Sequence, residues 1–162
     1  AALREAFALD EVVVWSRSSA TRERFAAEND AVAAATVGHA VAGADIVVCC
    51  TPSRSPLLDR EMLDAGTHVV AMGSDMVGKR ELADDVLLRA DVVVADSIEV
   101  TSRVGELAHV PSAAARAVEL GDVLLERSVG RSGPDQLTVS DHCGLGIQDA
   151  AMAQLVMDGL DS

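Results

Sequence analysis

Four short stretches of this 162-residue sequence carry side chains that could do chemistry: 16–18, 51–53, 75 and 141–143. Asp75 follows an apolar run, 67–72, that reads as a β-strand. A carboxylate just past the carboxyl end of a parallel strand stands where open α/β sheets bind ligands, and can take or give a proton there. The same residue could instead cap the segment that leads to Lys79. Thr51, Pro52 and Ser53 leave a second apolar run, 46–50, at the same edge. A threonine hydroxyl and free backbone amides at that point can meet ribose and phosphate oxygens, although Pro52 by itself marks only a turn. Ser16 and Arg17 end a third run, 12–15. In a dinucleotide-binding sheet an acidic residue at this place holds a ribose 2′-hydroxyl, whereas a guanidinium can grip a 2′-phosphate. The bland reading of Arg17 is an ordinary surface arginine. Asp141-His142-Cys143 invites a thiol activated by its neighbouring imidazole. Adjacent residues rarely aim their side chains that way, so this reading is set aside. His39, His68 and His109 lack metal-ligand spacing, and no metal site is expected.

These residues need a scaffold, and the sequence supplies a repeating one. Short β-rich runs alternate with helical patterns, the mark of a parallel α/β sheet. Strands are expected at 12–15, 36–37, 46–50, 67–72, 92–95 and 137–140. Helices are expected at 19–28 (capped by Ser19, with Phe25 on its apolar side), 58–64, 80–89, 98–104, 113–126 and 145–160, with a further short one ending at Gly43. The 46–50 run is apolar at every position, as a central parallel strand should be. Residues 1–9 read as the tail of a helix entering directly on the 12–15 strand. A dinucleotide fold opens with a strand and a G-x-G-x-x-G loop before that helix. The first glycine here is Gly38, so the expectation is a Rossmann-like, doubly wound domain over 1–162 that lacks its first strand and phosphate loop.

Composition narrows the class. With 49% hydrophobic residues and a mean hydropathy of +0.25, the chain is a folded one. The balance of 13 basic against 26 acidic residues, net −13, argues against nucleic acid as a partner. No apolar run approaches the ~20 residues of a membrane-spanning helix. Three cysteines, Cys49, Cys50 and Cys143, without a C-x-x-C pair suggest a reducing, cytoplasmic setting. Cys49 and Cys50 are read as buried structural thiols.

Several motifs resemble those of the ornithine cyclodeaminase/μ-crystallin family. Ala44-Asp45-Ile46-Val47 with Thr51-Pro52-Ser53 is similar to its A-D-I-V-x-x-x-T-P-S segment. Ala65-Gly66-Thr67-His68-Val69, Gly73-Ser74-Asp75 and Gly78-Lys79-Arg80-Glu81-Leu82 follow in the family's order. So do Gly105-Glu106-Leu107, Glu119-Leu120-Gly121-Asp122-Val123, Gly130-Arg131, Asp141, Gly144 and Gln148-Asp149. The match runs nearly the whole chain, and Gly144-x-Gly146-x-Gln148-Asp149 looks most like the ectoine-utilisation branch.

The resemblance implies an NAD(P)-dependent enzyme acting on an amino or imino acid, as a cyclodeaminase, dehydrogenase or imine reductase, with hydride transfer at the substrate α-carbon. It makes Asp75 the catalytic acid/base and assigns Lys79 to orient it or the cofactor. Cofactor contacts would come from Ser16, Arg17, Ser18, Thr51, Pro52, Ser53 and Met72. Trp15-Ser16-Arg17-Ser18 resembles the W-N-R-T of NADP-binding μ-crystallin, which favours NADP over NAD. Cyclodeaminases usually carry serine where His142 stands, so this substrate-facing position argues against ornithine itself. The family further implies a homodimer, with residues from about 137 to 162 packing toward an N-terminal dimerisation and substrate domain. The alternative it leaves open is a non-catalytic NADP-binding protein of the μ-crystallin type.

Overall fold

The structure, a computed structural model, describes residues 2–160. Nine strands and eight α-helices alternate along the described residues, and every strand pairing is parallel. After helix α1 (Ala2–Ala6), strand β1 (Val13–Val14) pairs with β2 (Val32–Ala33) across helix α2 (Ser19–Glu28). Helix α3 (Val37–Val41) leads to β3 (Ile46–Cys49), the first strand of the main sheet. That sheet has five strands in the order β3-β5-β9-β7-β8, where β5 is His68–Ala71, β7 Val92–Ala95, β8 Val118–Glu119 and β9 Thr138–Asp141. A small second pairing joins β4 (Arg54–Leu58) to β6 (Arg80–Leu82).

The topology leaves a place between β5 and β7 that the chain fills last, with β9. Asp141 therefore ends the strand at the middle of the sheet. Alternation decides which residues form the core. Val69 and Ala71 of β5, Val139 of β9 and Val93 and Ala95 of β7 point to one face. They pack there with Val86 and Leu87 of α4 (Asp84–Arg89), and with Leu107, Val110 and Ala113. His68, Val70, Val92, Val94, Thr138 and Ser140 take the opposite face, where they border a cavity with Leu120 and Val123 of α7 (Leu120–Leu124).

Several expected elements shift, each for a local reason. Ser18, not Ser19, caps α2, its hydroxyl accepting the Thr21 N–H at 3.3 Å. Phe25 is exposed, and Ala26 makes the buried contact of that helix. Thr36 does not begin a strand but caps α3 through His39 N–H, and the strand lies earlier, at β2. Leu58 pairs with Leu82, and its carbonyl accepts Ala83 N–H at 2.8 Å. The expected 58–64 helix is therefore the end of β4 followed by a 3-10 turn, Arg60–Met62, capped by Asp59. The expected 80–89 helix gives up its first residues to β6 because the Glu81 and Leu82 amides bond elsewhere. The expected 113–126 helix splits into α6 (Pro111–Ala114), β8 and α7, since Val118 pairs with Val94. Helix α5 (Ile98–Val104) and the closing helix α8 (Gly146–Leu160) match the expectation. The β3 strand proves an edge strand of the five, with Val48 exposed, and Cys50 is exposed rather than buried. Ala1, expected within a helix tail, lies outside the described residues.

Leu82 joins the small pairing to the core and is 1% exposed. Leu82→Ala should lower stability by about 2–5 kcal/mol through the cavity it leaves. Urea titration would show this as a lower midpoint at unchanged slope.

Candidate functional site

The carboxyl ends of β3, β5 and β9 lie side by side, and the segments that leave them form one edge. Met72 N–H donates to Cys49 O (2.8 Å), and His142 N–H to Ala71 O (2.9 Å), so the three exits are tied together. Trp15, just past β1, lines one groove with Cys50 and Thr51, which brings the 15–18 segment to the same edge. A cavity of about 470 Å3 opens instead between the amino ends of β3 and β5. It lies at the edge opposite to the one where parallel sheets bind ligands.

Asp75 and Lys79 meet at this edge. Lys79 Nζ donates to Asp75 Oδ1 at 2.5 Å, four residues apart. The lysine is mostly covered, with its side chain 18% exposed, while the aspartate is open at 46%. The hydrogen bond from Lys79 holds the Asp75 carboxyl below its usual 3.8; burial opposes this, and the lysine's charge adds to the lowering. Asp75 is therefore an ionised, accessible carboxylate with a covered ammonium at its back. Lys79 is itself fixed at its carbonyl, which accepts from Ser74 Oγ at 2.8 Å and contacts His109 Nε2 at 2.9 Å.

The 51–53 loop differs from expectation. Its amides are not free: Thr51 N–H donates to Glu81 Oε1 (2.6 Å) and Ser53 N–H to Thr51 Oγ1 (3.3 Å). Ser53 is buried, with its hydroxyl donated to Ser55 O at 2.7 Å. What the loop can offer a ligand is the half-buried Thr51 side chain and the exposed Pro52. Ser18 is occupied as a helix cap, and Ser16 Oγ donates to Ser18 O at 2.9 Å. Arg17 is exposed and makes no hydrogen bond or ion pair among the described residues. Met72 is 52% exposed beside this loop. His142 is half-buried on the sheet face that also carries His68 and Ser140, away from Cys143. Burial, then Arg131 and His142, push the His68 imidazole below its usual value. The Cys143 thiol contacts Ser74 O at 3.5 Å, and burial with nearby carboxylates pushes it up to about 12. Such a thiol is no nucleophile.

Sequence reasoning gave no role to the buried carboxyl groups beneath this edge. Glu81, Glu106 and Asp141 are each 0% exposed. Glu81 also accepts Gly73 N–H at 2.8 Å, and Glu106 accepts Glu81 N–H (2.6 Å) and Leu82 N–H (3.2 Å). Asp141 Oδ2 accepts Leu107 N–H at 3.0 Å, while its Oδ1 has no partner. Asp96 accepts Gly144 N–H at 2.8 Å and Cys143 N–H at 3.1 Å, fixing the segment beyond β9. Close approach requires glycine at two places. A Cβ on Gly73 would overlap the Thr51 carbonyl and the Glu81 carboxylate, and one on Gly105 would stand 2.7 Å from Asp141 Oδ2. A cue existed in the sequence, since Glu81 and Glu106 each follow the conformational break of a nearby glycine and precede leucine.

Burial pushes the Asp141 carboxyl from 3.8 up to about 7, against the Leu107 and Glu106 amides and reinforced by the Glu106 and Asp96 charges. The folded chain then holds a proton that the unfolded chain releases. This contribution is complete below about pH 4 and is lost as pH rises through about 7. Asp141→Asn removes it. The melting temperature of the variant relative to wild type should therefore rise between about pH 4 and pH 8. A pH-independent difference in calorimetry would contradict a neutral Asp141.

A family model for the ornithine cyclodeaminase/mu-crystallin family matches residues 1–162. A putative dehydrogenase of Rhizobium meliloti is 42% identical over 162 residues, covering 90% of this chain and 47% of its own length. An archaeal alanine dehydrogenase dimer with bound NAD superposes with a TM-score of 0.88 at 30% identity, over 97% of this chain and 51% of that one. The iminosuccinate reductase of Paracoccus denitrificans, in complex with NAD+, gives 0.86 at 31% identity over 97% and 51%. The chain spans about half the length of the relatives it matches.

Proposed function

The chain belongs to the ornithine cyclodeaminase/mu-crystallin family, and we propose that its protein is a nicotinamide-dependent enzyme converting an amino or imino acid. The observation that carries this reading is the Asp75–Lys79 pair, an open carboxylate backed by a covered ammonium at the carboxyl edge of a parallel sheet. The fit of a nicotinamide dinucleotide rests on the donors left at that edge, Arg17 and the Thr51 hydroxyl, and on the apolar surface of Met72 and Pro52. When bound, the nicotinamide would supply the hydride exchange at the substrate α-carbon. Asp75 accepts or returns the proton that accompanies it, and Lys79 orients the carboxylate and keeps it ionised between turnovers. His142, at the exit of β9, faces the substrate, and its bulk in place of a small residue directs the site away from ornithine.

Arg17 is the basis for NADP over NAD, because an unpaired guanidinium past β1 suits a 2′-phosphate. The remainder of the protein has two surfaces on which to pack. A parallel strand ahead of this chain would fit the groove where β1 and β3 expose their facing edges, and its loop would supply the phosphate contacts that the 51–53 amides do not. Helix α8 presents Ile147, Met152, Leu155, Val156 and Met157 to solvent, which suits an N-terminal dimerisation and substrate domain and a homodimer. The three free thiols agree with a cytoplasmic setting.

Turnover of the intact protein on a panel of amino and imino acids, with NAD(H) and NADP(H), tests the class. Asp75→Asn should keep cofactor affinity and lower kcat by ~100-fold or more. Near-normal turnover would reduce Asp75 to a structural residue, and absence of turnover with intact cofactor binding would favour a cofactor-binding protein without catalysis. Arg17→Asp should weaken NADPH binding far more than NADH binding in fluorescence titrations. Equal losses would mean that Arg17 does not read the 2′-position.

A further inference from the structure

We infer that Glu81 is a positioning residue that sets the spacing between the two loops of the proposed site, the one bearing Thr51 and the one bearing Asp75. The inference rests on the reading of that edge given above. Glu81 sits on β6, completely buried, with one carboxylate oxygen on each loop: Oε1 accepts Thr51 N–H at 2.6 Å and Oε2 accepts Gly73 N–H at 2.8 Å. Thr51 lies two residues past β3, and Gly73 two residues past β5 and two before Asp75. A single planar group thus spans both exits.

The clamp is held from behind. Glu106 takes the Glu81 and Leu82 amides, so β6 cannot slide along its own axis without breaking two hydrogen bonds to a buried carboxyl. Arg80 N–H donates to Ser53 O at 2.9 Å, which secures the far end of the first loop to the same strand. Gly73 completes the fit, because any side chain there would occupy the space of the Glu81 carboxylate. No lysine or arginine forms an ion pair with Glu81 among the described residues. The loops are therefore gripped by backbone donors, and a change in the acceptor geometry moves them directly.

Glutamine is the informative substitution, since it keeps the shape but has one acceptor oxygen. Its NH2 group would face the N–H of Thr51 or Gly73, donor against donor. In the intact protein, Glu81→Gln should lower affinity for NADH and NADPH by about 10-fold or more, as expected when one charge-assisted hydrogen bond is replaced by a mismatch. Amide hydrogen exchange should accelerate at Thr51 and Gly73 while Val69 and Val139, at the sheet centre, stay protected. Glu81→Asp keeps the charge but reaches only one loop, and should expose one of the two amides with an intermediate loss of affinity. In the wild-type protein both amides should exchange as slowly as those of β3 and β5, and fast exchange at either one overturns the inference without any variant. Unchanged cofactor affinity in a folded Glu81→Gln that has merely lost thermal stability would make the residue structural only. If exchange changes as expected while Asp75→Asn retains normal turnover, the clamp stands and the assignment of the site fails.

Discussion

Carboxylates buried without cationic partners are the constraint on which this structure turns. Removing an ionised carboxyl from water costs several kcal/mol unless hydrogen bonds replace the lost hydration. Here the replacements are backbone amides, delivered by Thr51, Gly73, Glu81, Leu82 and Leu107. Through two of them Glu81 grips two segments at once. Where they fall short, the proton returns: burial pushes Glu106 up to about 7, opposed by the amides of Glu81 and Leu82, and Asp141 likewise reaches about 7. The orphaned Oδ1 of Asp141 is consistent with a neutral acid.

The sheet topology explains why these groups collect in one place. Filling the gap between β5 and β7 with β9 puts Asp141 at the centre of the carboxyl edge. The 3-10 turn that follows α5 brings Leu107 N–H and Glu106 against it, and Glu106 in turn reaches β6. One line of contacts therefore runs from the middle of the main sheet, through the small β4–β6 pairing, to the loops after β3 and β5. The β4–β6 pairing has no large face of its own to bury. Its work is to carry Glu81.

The parallel α/β class and the edge that carries the proposed site were legible as pattern because they depend on local sequence. The 46–50, 67–72 and 92–95 strands and the 98–104 helix announce themselves through short apolar runs and flanking breaks, and each lies within a residue or two of its observed bounds. The β4–β6 pairing was not legible. Its strands are short, one contains Pro56, and the register between Arg54 and Leu58 is irregular. Leu57, Leu58 and the acidic residues after them resemble a helix start until the partner strand is known. The buried carboxyls were hidden for the same reason. Glu81 meets an amide 30 residues away, Glu106 one 25 away and Asp141 one 34 away. No local window contains both halves of these three contacts; only the Glu81–Gly73 bond spans as few as eight residues. The motifs containing Glu81, Glu106 and Asp141 were visible as part of a family resemblance, but their function as acceptors became readable only in three dimensions.

The two kinds of carboxyl at this edge differ in access and in charge. Asp141 and Glu106 are raised toward neutrality, which by itself would suit acid–base chemistry near pH 7. Both are sealed at 0% exposure, and their oxygens face amides or protein interior, so a substrate cannot reach them. Asp75 has the opposite properties: it is open to solvent and held ionised by Lys79. In the function proposed for this edge, such a carboxylate accepts the proton, and the bound ammonium keeps it ionised until a substrate brings one. Once Asp75 is protonated, the attraction from Lys79 favours its release again, which returns the site to its starting state. On that proposal, access outweighs a matched resting pKa in choosing the acid–base group. The buried acids serve that group at a distance, by fixing the loops from which it projects.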